Sequence, residues 1–398
     1  MKKIKTEKPK CLKKSFNLVE VVILMVLTCF FGILSGSIIT FITIKKPQVK
    51  TVVEDTRDPY LKEFEDTYYN LLETYYSNLN NKELLDAAIE GMVGYLDDPY
   101  AKYMNTEDSL SFSEEVSGEY VGIGCELDQN KDGYYYISAV SDNTPAKEKG
   151  IRVGDILVEI DGKEVKNMDS SKFFSLLKGK ENSKIKLKLK RENEIIELEV
   201  IRKKLTIKSV ESSIETTYDK KVGIIKISVF ASNTYKQVRT ELENLEKEGI
   251  DSLVIDLRDN AGGYLSSATN IASMFIKKDK IIYQLDTKGV KNTVLDITSE
   301  ERKYPIVVLI NHNSASASEL LTMALKESYN ATIVGEKSYG KGMIQKANKL
   351  SDGSLLKYTV QEWISPSGKS INKVGITPDI EELDTTNQLS KAIEVLNN

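Results

Sequence analysis

One serine and one lysine, each in a setting of small residues, are the positions of this chain whose types and spacing could do chemistry. Pro305-Ile-Val-Val-Leu-Ile310 is an apolar run of strand length. It leads into Asn311-His312-Asn313-Ser314-Ala315-Ser316-Ala317-Ser318-Glu319-Leu320-Leu321. A strand that enters a tight small-residue turn and then a helix exposes a hydroxyl, and the helix N-terminus offers free N–H groups to a developing anion. Ser316-x-x-Glu319 before an apolar run is also a capping-box pattern, which needs no chemistry. The second element, Gly335-Glu-Lys-Ser-Tyr-Gly340-Lys341-Gly342, comes close to the phosphate-loop pattern GxxxxGK[ST]. Gly342 stands where the metal-binding hydroxyl belongs, and 343–350 does not read as a helix, so phosphate binding is set aside. A lysine between two glycines is open to close backbone approach, or is an ordinary surface lysine in a turn. The third element, Asp256-Leu-Arg-Asp-Asn-Ala-Gly262-Gly263, ends a strand in paired glycines before a helix. Such a turn can present an N–H to an anion or can simply connect.

A serine is a poor nucleophile without a base. Lysine serves only when neutral, so its pKa of about 10.4 must be lowered by burial. A candidate base is His312, the single histidine, four residues before Ser316, where both groups would have to point into one small space. One histidine and three cysteines (Cys11, Cys29, Cys125) cannot assemble an HExxH or a cysteine cluster, so no metal and no cofactor are expected.

The elements that must position these residues follow from periodicity. Phe64, Tyr68, Leu71, Leu72 and Tyr75, then Leu84, Leu85, Ile89, Met92 and Val93, recur at helical spacing and predict two helices. Residues 118–204 read as a small β-rich unit with strands near 121–127, 134–140, 156–160, 185–190 and 195–201, a short helix opening at Thr144-Pro145-Ala146 and another over 170–177. From 222 onward, strands (222–230, 252–257, 306–310) alternate with helices (235–248, 265–275, 316–328), an α/β arrangement. Ser351-Asp352-Gly353 and Ser365-Pro366-Ser367-Gly368 are hairpin signals, and 388–396 is a closing helix.

With 398 residues, 40% hydrophobic and 29% charged, the chain suits two or three folded domains. The first twenty residues carry +5 and the remainder −9, and an acidic body argues against a nucleic-acid partner. Residues 21–44 hold no charge and are long enough to span a bilayer as a single helix. The lysines before it place the N-terminus in the cytoplasm and the rest outside the cell membrane. A cleaved signal peptide is the alternative, but the apolar run is long for one. Cys125 is the only cysteine beyond the span, so no intramolecular disulfide is available there.

Taken together and in order, these pieces resemble the C-terminal processing peptidases, or tail-specific proteases. The resemblance runs through Leu96-Asp-Asp-Pro-Tyr100, Gly122-Ile-Gly124, 256–263, Ser314-Ala-Ser-Ala-Ser-Glu319, Gly340-Lys-Gly342 with Gln345, 365–368 and Gly375-Ile-Thr-Pro-Asp379. It implies Ser316 as nucleophile, Lys341 as general base, Gln345 as the residue that orients the lysine, and the N–H groups of Gly262 and Ala317 as oxyanion hole. The implied fold is an α/β core of crotonase/ClpP-like architecture with an inserted, mostly β PDZ domain, N-terminal helices and one transmembrane helix. The implied layout is a basic tail (1–20), span (21–44), linker (45–59), helical region (60–117), PDZ domain (118–204) and catalytic domain (205–398).

Residues 146–162, through Gly150-Ile-Arg-Val-Gly-Asp155, closely resemble the central motif of PDZ domains, which bind the C-terminal end of a polypeptide as an added strand. Gly122, Ile123 and Gly124 would receive the terminal carboxylate. Many relatives carry Arg-Gly after the last PDZ helix where this sequence has Lys178-Gly179, and lysine lacks the bidentate fork. The expectation is a membrane-anchored serine endopeptidase that cuts extracytoplasmic proteins near exposed C-termini, gated by its PDZ domain and dimerising through the N-terminal helices. The alternatives are a PDZ-bearing scaffold without turnover and a crotonase-like acyl-transfer enzyme.

Overall fold

The structure is a computed structural model that describes residues 17–19, 21–23, 25–26, 58–217 and 219–397. The expected span 21–44 lies almost wholly outside these residues. Among the described residues no helix is long and apolar enough to cross a membrane. The protein divides after Leu79 into two compact units. The first contains helix α1 (Pro59–Thr74), started by Pro59 in its first turn and by Asp58, whose carboxylate accepts the Tyr60 N–H.

The second unit opens with α2 (Asn81–Gly94), β1 (Lys102–Met104) and α3 (Thr106–Ser117). The N-caps Asn80 and Asn105 each accept two N–H groups of the following turn, and Gly118 closes α3 at φ +72°. The sequence predicts only two helices in this region. α3 was hidden because its apolar positions are few and its polar ones many.

The β-rich unit holds β2 (Glu119–Gly122), β3 (Cys125–Gln129), β4 (Tyr135–Val140), α4 (Pro145–Glu148), β5 (Ile156–Ile160), β6 (Lys163–Glu164), α5 (Ser170–Leu177), β7 (Lys184–Arg191), β8 (Glu194–Ile201) and β9 (Lys203–Thr206). The single strand expected at 121–127 is two. Gly124 breaks it at φ +86°, where a Cβ would lie 2.3 Å from the Thr144 side chain. Ile137, Leu157, Ile160, Leu187 and Leu189 form a core of their own around Phe173, whose ring stacks on Tyr135 with centroids 3.5 Å apart.

The α/β body follows: β10 (Val210–Thr217), β11 (Lys220–Ile227), α6 (Thr234–Lys247), β12 (Ser252–Asp256), α7 (Leu265–Ala272), β13 (Ile281–Thr287), β14 (Val290–Leu295), β15 (Ile306–Ile310), α8 (Ala317–Tyr329), β16 (Thr332–Gly335), β17 (Met343–Lys349), β18 (Leu355–Ile364), β19 (Ile380–Glu381) and α9 (Gln388–Asn397). One sheet runs β10-β11-β12-β15-β16-β19, parallel except for β10. Both faces are covered, which is why β15 is apolar throughout. Val308 and Ile310 pack toward α6, α7 and α8, while Val307 and Leu309 join Val254 and Val334 in a second core with Ala392 and Leu396 of α9.

The second sheet centres on β18. Along one edge it pairs with β17, and along the other with β1 and β13. This sheet docks the segment preceding β1 beside the loop that carries Lys341. β10, β13 and β14 were not expected from the sequence; their mixed polar and β-branched composition carries little alternation.

Candidate active site

Ser316 lies where strand β15 meets helix α8, and two turns are sewn together to hold it there. Asn311 Nδ2 and Asn313 Nδ2 each donate to Asp259 Oδ1 at 2.8 Å, and Asp259 N–H donates back to Asn311 Oδ1 at 3.0 Å. The three serines of the run divide their tasks. Ser314 and Ser318 are fully buried and donate to the Leu257 and Asn260 carbonyls, at 2.8 Å each. Ser316 between them is partly exposed, with φ +54° and ψ −111°. A non-glycine residue held there costs of order 1–3 kcal/mol, supplied by the surrounding hydrogen bonds.

Lys341 occupies the loop between β16 and β17. Its flanking glycines are required by close crossing of the 371–375 segment: a Cβ on Gly340 (φ +92°) would fall 2.8 Å from Gly375 N, and one on Gly342 would fall 2.9 Å from Asn372 Cβ. Trp363 Nε1 donates to the Lys341 carbonyl at 3.2 Å. The lysine is half-buried, with Nζ 4.8 Å from the Tyr100 ring centroid. Burial pushes its pKa below the ordinary lysine value, and repulsion from Lys357 adds to this, while Glu319 and Asp98 oppose it. This is not the setting of an ordinary surface lysine.

Glu319 joins the two elements. It is fully buried. Oε2 accepts the Ser316 and Lys341 N–H groups at 2.8 Å each, and Oε1 accepts the Ser338 hydroxyl at 2.5 Å and the Gly340 N–H at 2.7 Å. The capping pattern in the sequence therefore marks a real contact from Glu319 to the helix start. The same carboxylate also holds the lysine loop. Sequence reasoning saw the cap and missed the second partner, which lies 22 residues away.

The remaining expected residues are placed as follows. A Cβ on Gly262 (φ +101°) would lie 3.0 Å from Ala317 N, so the two oxyanion candidates are neighbours. Ala317 N–H donates to no group among the described residues, whereas Gly262 N–H donates to Asn260 Oδ1 at 2.9 Å. Gln345 Nε2 donates to the Met343 carbonyl at 3.0 Å and to Thr359 Oγ1 at 3.4 Å, not to Lys341. Among the described residues no hydrogen bond joins Lys341 Nζ to Ser316 Oγ. His312 is largely exposed, and its Nδ1 lies 2.8 Å from Glu336 Oε2.

Gly122, Ile123 and Gly124 line a cavity of about 1210 Å³ between β3, α5 and α3. The carbonyls of Ile123 and Gly124 accept from Ala146 and Ser141, and their N–H groups donate to nothing among the described residues. Among the described residues β3 pairs only with β4, leaving its other edge for an added strand. Leu127, Phe174 and Leu177 give the groove apolar walls, and Glu107 and Asp108 of α3 give it an acidic one. Lys178 Nζ bridges Glu114 Oε2 (3.0 Å) and Ser111 Oγ (2.8 Å) of α3. Arg202 fills the space under Lys178-Gly179, donating to the Leu176 and Leu177 carbonyls.

The chain is similar to known proteins over most of its length. Residues 221–382 match peptidase family S41, residues 136–191 a PDZ domain, and residues 40–108 the activating protease CtpB N-terminal domain. Probable CtpA-like serine proteases of Staphylococcus haemolyticus and Staphylococcus saprophyticus are 37% and 36% identical over 83% and 82% of this chain. The chain spans 66% and 67% of their respective lengths. A photosystem II D1 C-terminal processing protease superposes with a TM-score of 0.50 at 28% identity, over 86% of this chain and 92% of that one. A putative S41 protease from Bacteroides fragilis shares the fold, with a TM-score of 0.52 at 18% identity, over 86% of this chain and 97% of the other. The α/β body and the β-rich insert thus each match a known domain, and the chain belongs to peptidase family S41.

Proposed function

We propose that this protein is a serine endopeptidase that cuts proteins near exposed C-termini, with Ser316 as nucleophile and Lys341 as general base. The observation that carries the reading is the shared carboxylate: one oxygen of Glu319 fixes the backbone of both residues. Neutral Lys341 takes the Ser316 hydroxyl proton as Oγ attacks the scissile carbonyl. The Ala317 N–H receives the oxyanion, joined by Gly262 N–H once it leaves Asn260. The lysine ammonium then protonates the departing amine. The neutral amine left on Lys341 next takes a proton from the water that attacks the acyl-enzyme, and returns it to Ser316 Oγ as the acyl group leaves as the free acid.

In this reading the observed conformation is a resting one. Lys341 Nζ lies on Tyr100 and Gly262 N–H on Asn260, so both must move for turnover. A substrate C-terminus in the groove at Gly122–Gly124 is the trigger. Lys178, paired to α3, is the coupling between groove and body. Residues 21–44 anchor the protein in the cell membrane with the catalytic domain outside. The exposed Tyr60, Leu61, Phe64 and Tyr69 of α1 meet a second copy.

The test incubates the full-length protein with a disordered protein ending in an apolar tail, beside Ser316→Ala and Lys341→Ala. Cleavage by the unaltered protein alone supports the reading. Cleavage that survives in either variant overturns the dyad. Peptide binding without cleavage by the unaltered protein favours a scaffold.

A further inference from the structure

Lys341 is fixed at its backbone by one set of groups and met at its amine by another. Glu319 Oε2 accepts its N–H, and Trp363 Nε1 of β18 donates to its carbonyl. Among the described residues its Nζ makes no hydrogen bond and no ion pair within 4.0 Å. The amine lies instead over the Tyr100 ring, 4.8 Å from the centroid.

The ring is itself anchored. Asp98 closes a turn around it, its Oδ1 accepting the Tyr100 N–H at 2.9 Å and its carbonyl the Ala101 N–H at 3.0 Å. The other oxygen, Oδ2, accepts Thr359 N–H of β18 at 3.1 Å. Thr359 stands opposite Gln345 in the pairing of β17 with β18, and its Oγ1 accepts Gln345 Nε2 at 3.4 Å. One residue thus ties the turn that carries the ring to the strand that follows the lysine. With both backbones held, side-chain torsions decide whether amine and ring meet.

An aromatic face attracts an ammonium through its quadrupole, and a neutral amine gains no such attraction. The contact therefore selects a protonation state as well as a position. Burial pushes the Tyr100 phenol above its ordinary value, with Tyr339, Glu319 and Asp98 adding to this, so at neutral pH the ring carries no charge of its own. The charged groups facing the amine are Lys357 of β18, Glu319 of α8 and Asp98. Both carboxylates are already engaged, Glu319 by four donors and Asp98 by two N–H groups.

We propose that Tyr100 is a positioning residue that parks the base: its ring face holds the ammonium form of Lys341 away from Ser316, and release of that hold makes the amine available to the nucleophile. The proposal deepens the reading of Lys341 as base and rests on it.

A graded series in the full-length protein tests it. Phenylalanine and its mono-, di- and trifluorinated forms are placed at position 100 by stop-codon suppression. Fluorine drains electron density from the ring face and leaves ring shape nearly unchanged, so the attraction for a cation falls stepwise while burial stays. With the disordered protein ending in an apolar tail as substrate, kcat/KM at neutral pH should climb along the series, by about two- to fivefold in all. The rise of kcat/KM should move to lower pH in the same order. All members should meet at one plateau above it, where the lysine is neutral and the ring has no hold. In a Ser316→Ala background, lysines dimethylated with ¹³C-formaldehyde are titrated by NMR, the Lys341 signal being identified by its loss in Lys341→Arg. That titration should move to lower pH along the series as well. A Lys341 titration that ignores fluorination, a rate that falls with it, or a change of equal size at every pH overturns the proposal. Failure of the underlying reading shows separately, as activity that survives Ser316→Ala or Lys341→Ala.

Discussion

Ser316 and Lys341 share one hydrogen-bond acceptor: Glu319 Oε2 takes the backbone N–H of each at 2.8 Å. The separation of the helix start from the lysine loop is therefore set by a third residue's carboxylate, not by direct bonding between the two side chains.

Glu319→Gln should be far more damaging than its small change in volume suggests. A glutamine has one acceptor oxygen and an amide that donates, so it cannot receive four donors. Leaving buried N–H groups unpaired costs about 2–4 kcal/mol of stability. Urea unfolding reads that loss. Peptide cleavage at a temperature where the variant is folded should fall at least about a hundredfold, as expected when catalytic groups lose their geometry.

The pH dependence follows from the depressed pKa of Lys341. A general base works when deprotonated, so the rate should rise with pH through that pKa and level off above it. Initial rates across a buffer series report it. A plateau beginning near pH 6.5, the ordinary value for histidine, would assign the base to His312 instead. The same shift bears on stability. Below about pH 10.4 the unfolded state holds the Lys341 proton more tightly than the folded one, so this group's contribution grows as pH rises through the folded pKa.

Gly262→Ala should abolish cleavage. The new methyl would lie 2.7 Å from the Ala315 carbonyl oxygen and 2.9 Å from Ser316 Cβ, at a φ of +101° that side chains avoid. Gly263→Ala should cost more stability, because its methyl would lie 2.2 Å from the Phe230 carbonyl oxygen at the parallel bridge between Phe230 and Gly263. Thermal unfolding beside a cleavage assay separates the two outcomes.

The Lys178–Glu114 pair is partly solvent-exposed, so either alanine substitution should change stability by no more than about 1 kcal/mol. Its expected effect is on the response to substrate tails. Lys178→Glu should alter stimulation of cleavage by an added C-terminal peptide, and Lys178→Glu with Glu114→Lys should restore it. A stimulation curve that ignores both variants would remove this contact from the coupling.

Local pattern made much of the protein legible. β15 was readable because a strand buried on both faces must be apolar throughout, and α8 because small residues and a capping pattern mark its start. The turn at Ser351-Asp352-Gly353 joins β17 to β18 where the hairpin signal predicted it. The ordered motifs identified the family. The break at Gly124 escaped notice because 121–127 stays apolar enough to read as one strand, and only the contact with Thr144 makes the glycine necessary.

By itself, then, the sequence determined the alternation of strands and helices and the PDZ-like insert, since these depend on residues near one another along the backbone. Tertiary structure decided everything that depends on distant segments meeting. It brought Asp98 and Tyr100 to Lys341 through the pairing of β1 with β18, and it gave Glu319 its second partner in the lysine loop. It placed Gln345 against Thr359. No periodicity announces such contacts. Burial and charge at a site are sums over neighbours that only the folded protein supplies.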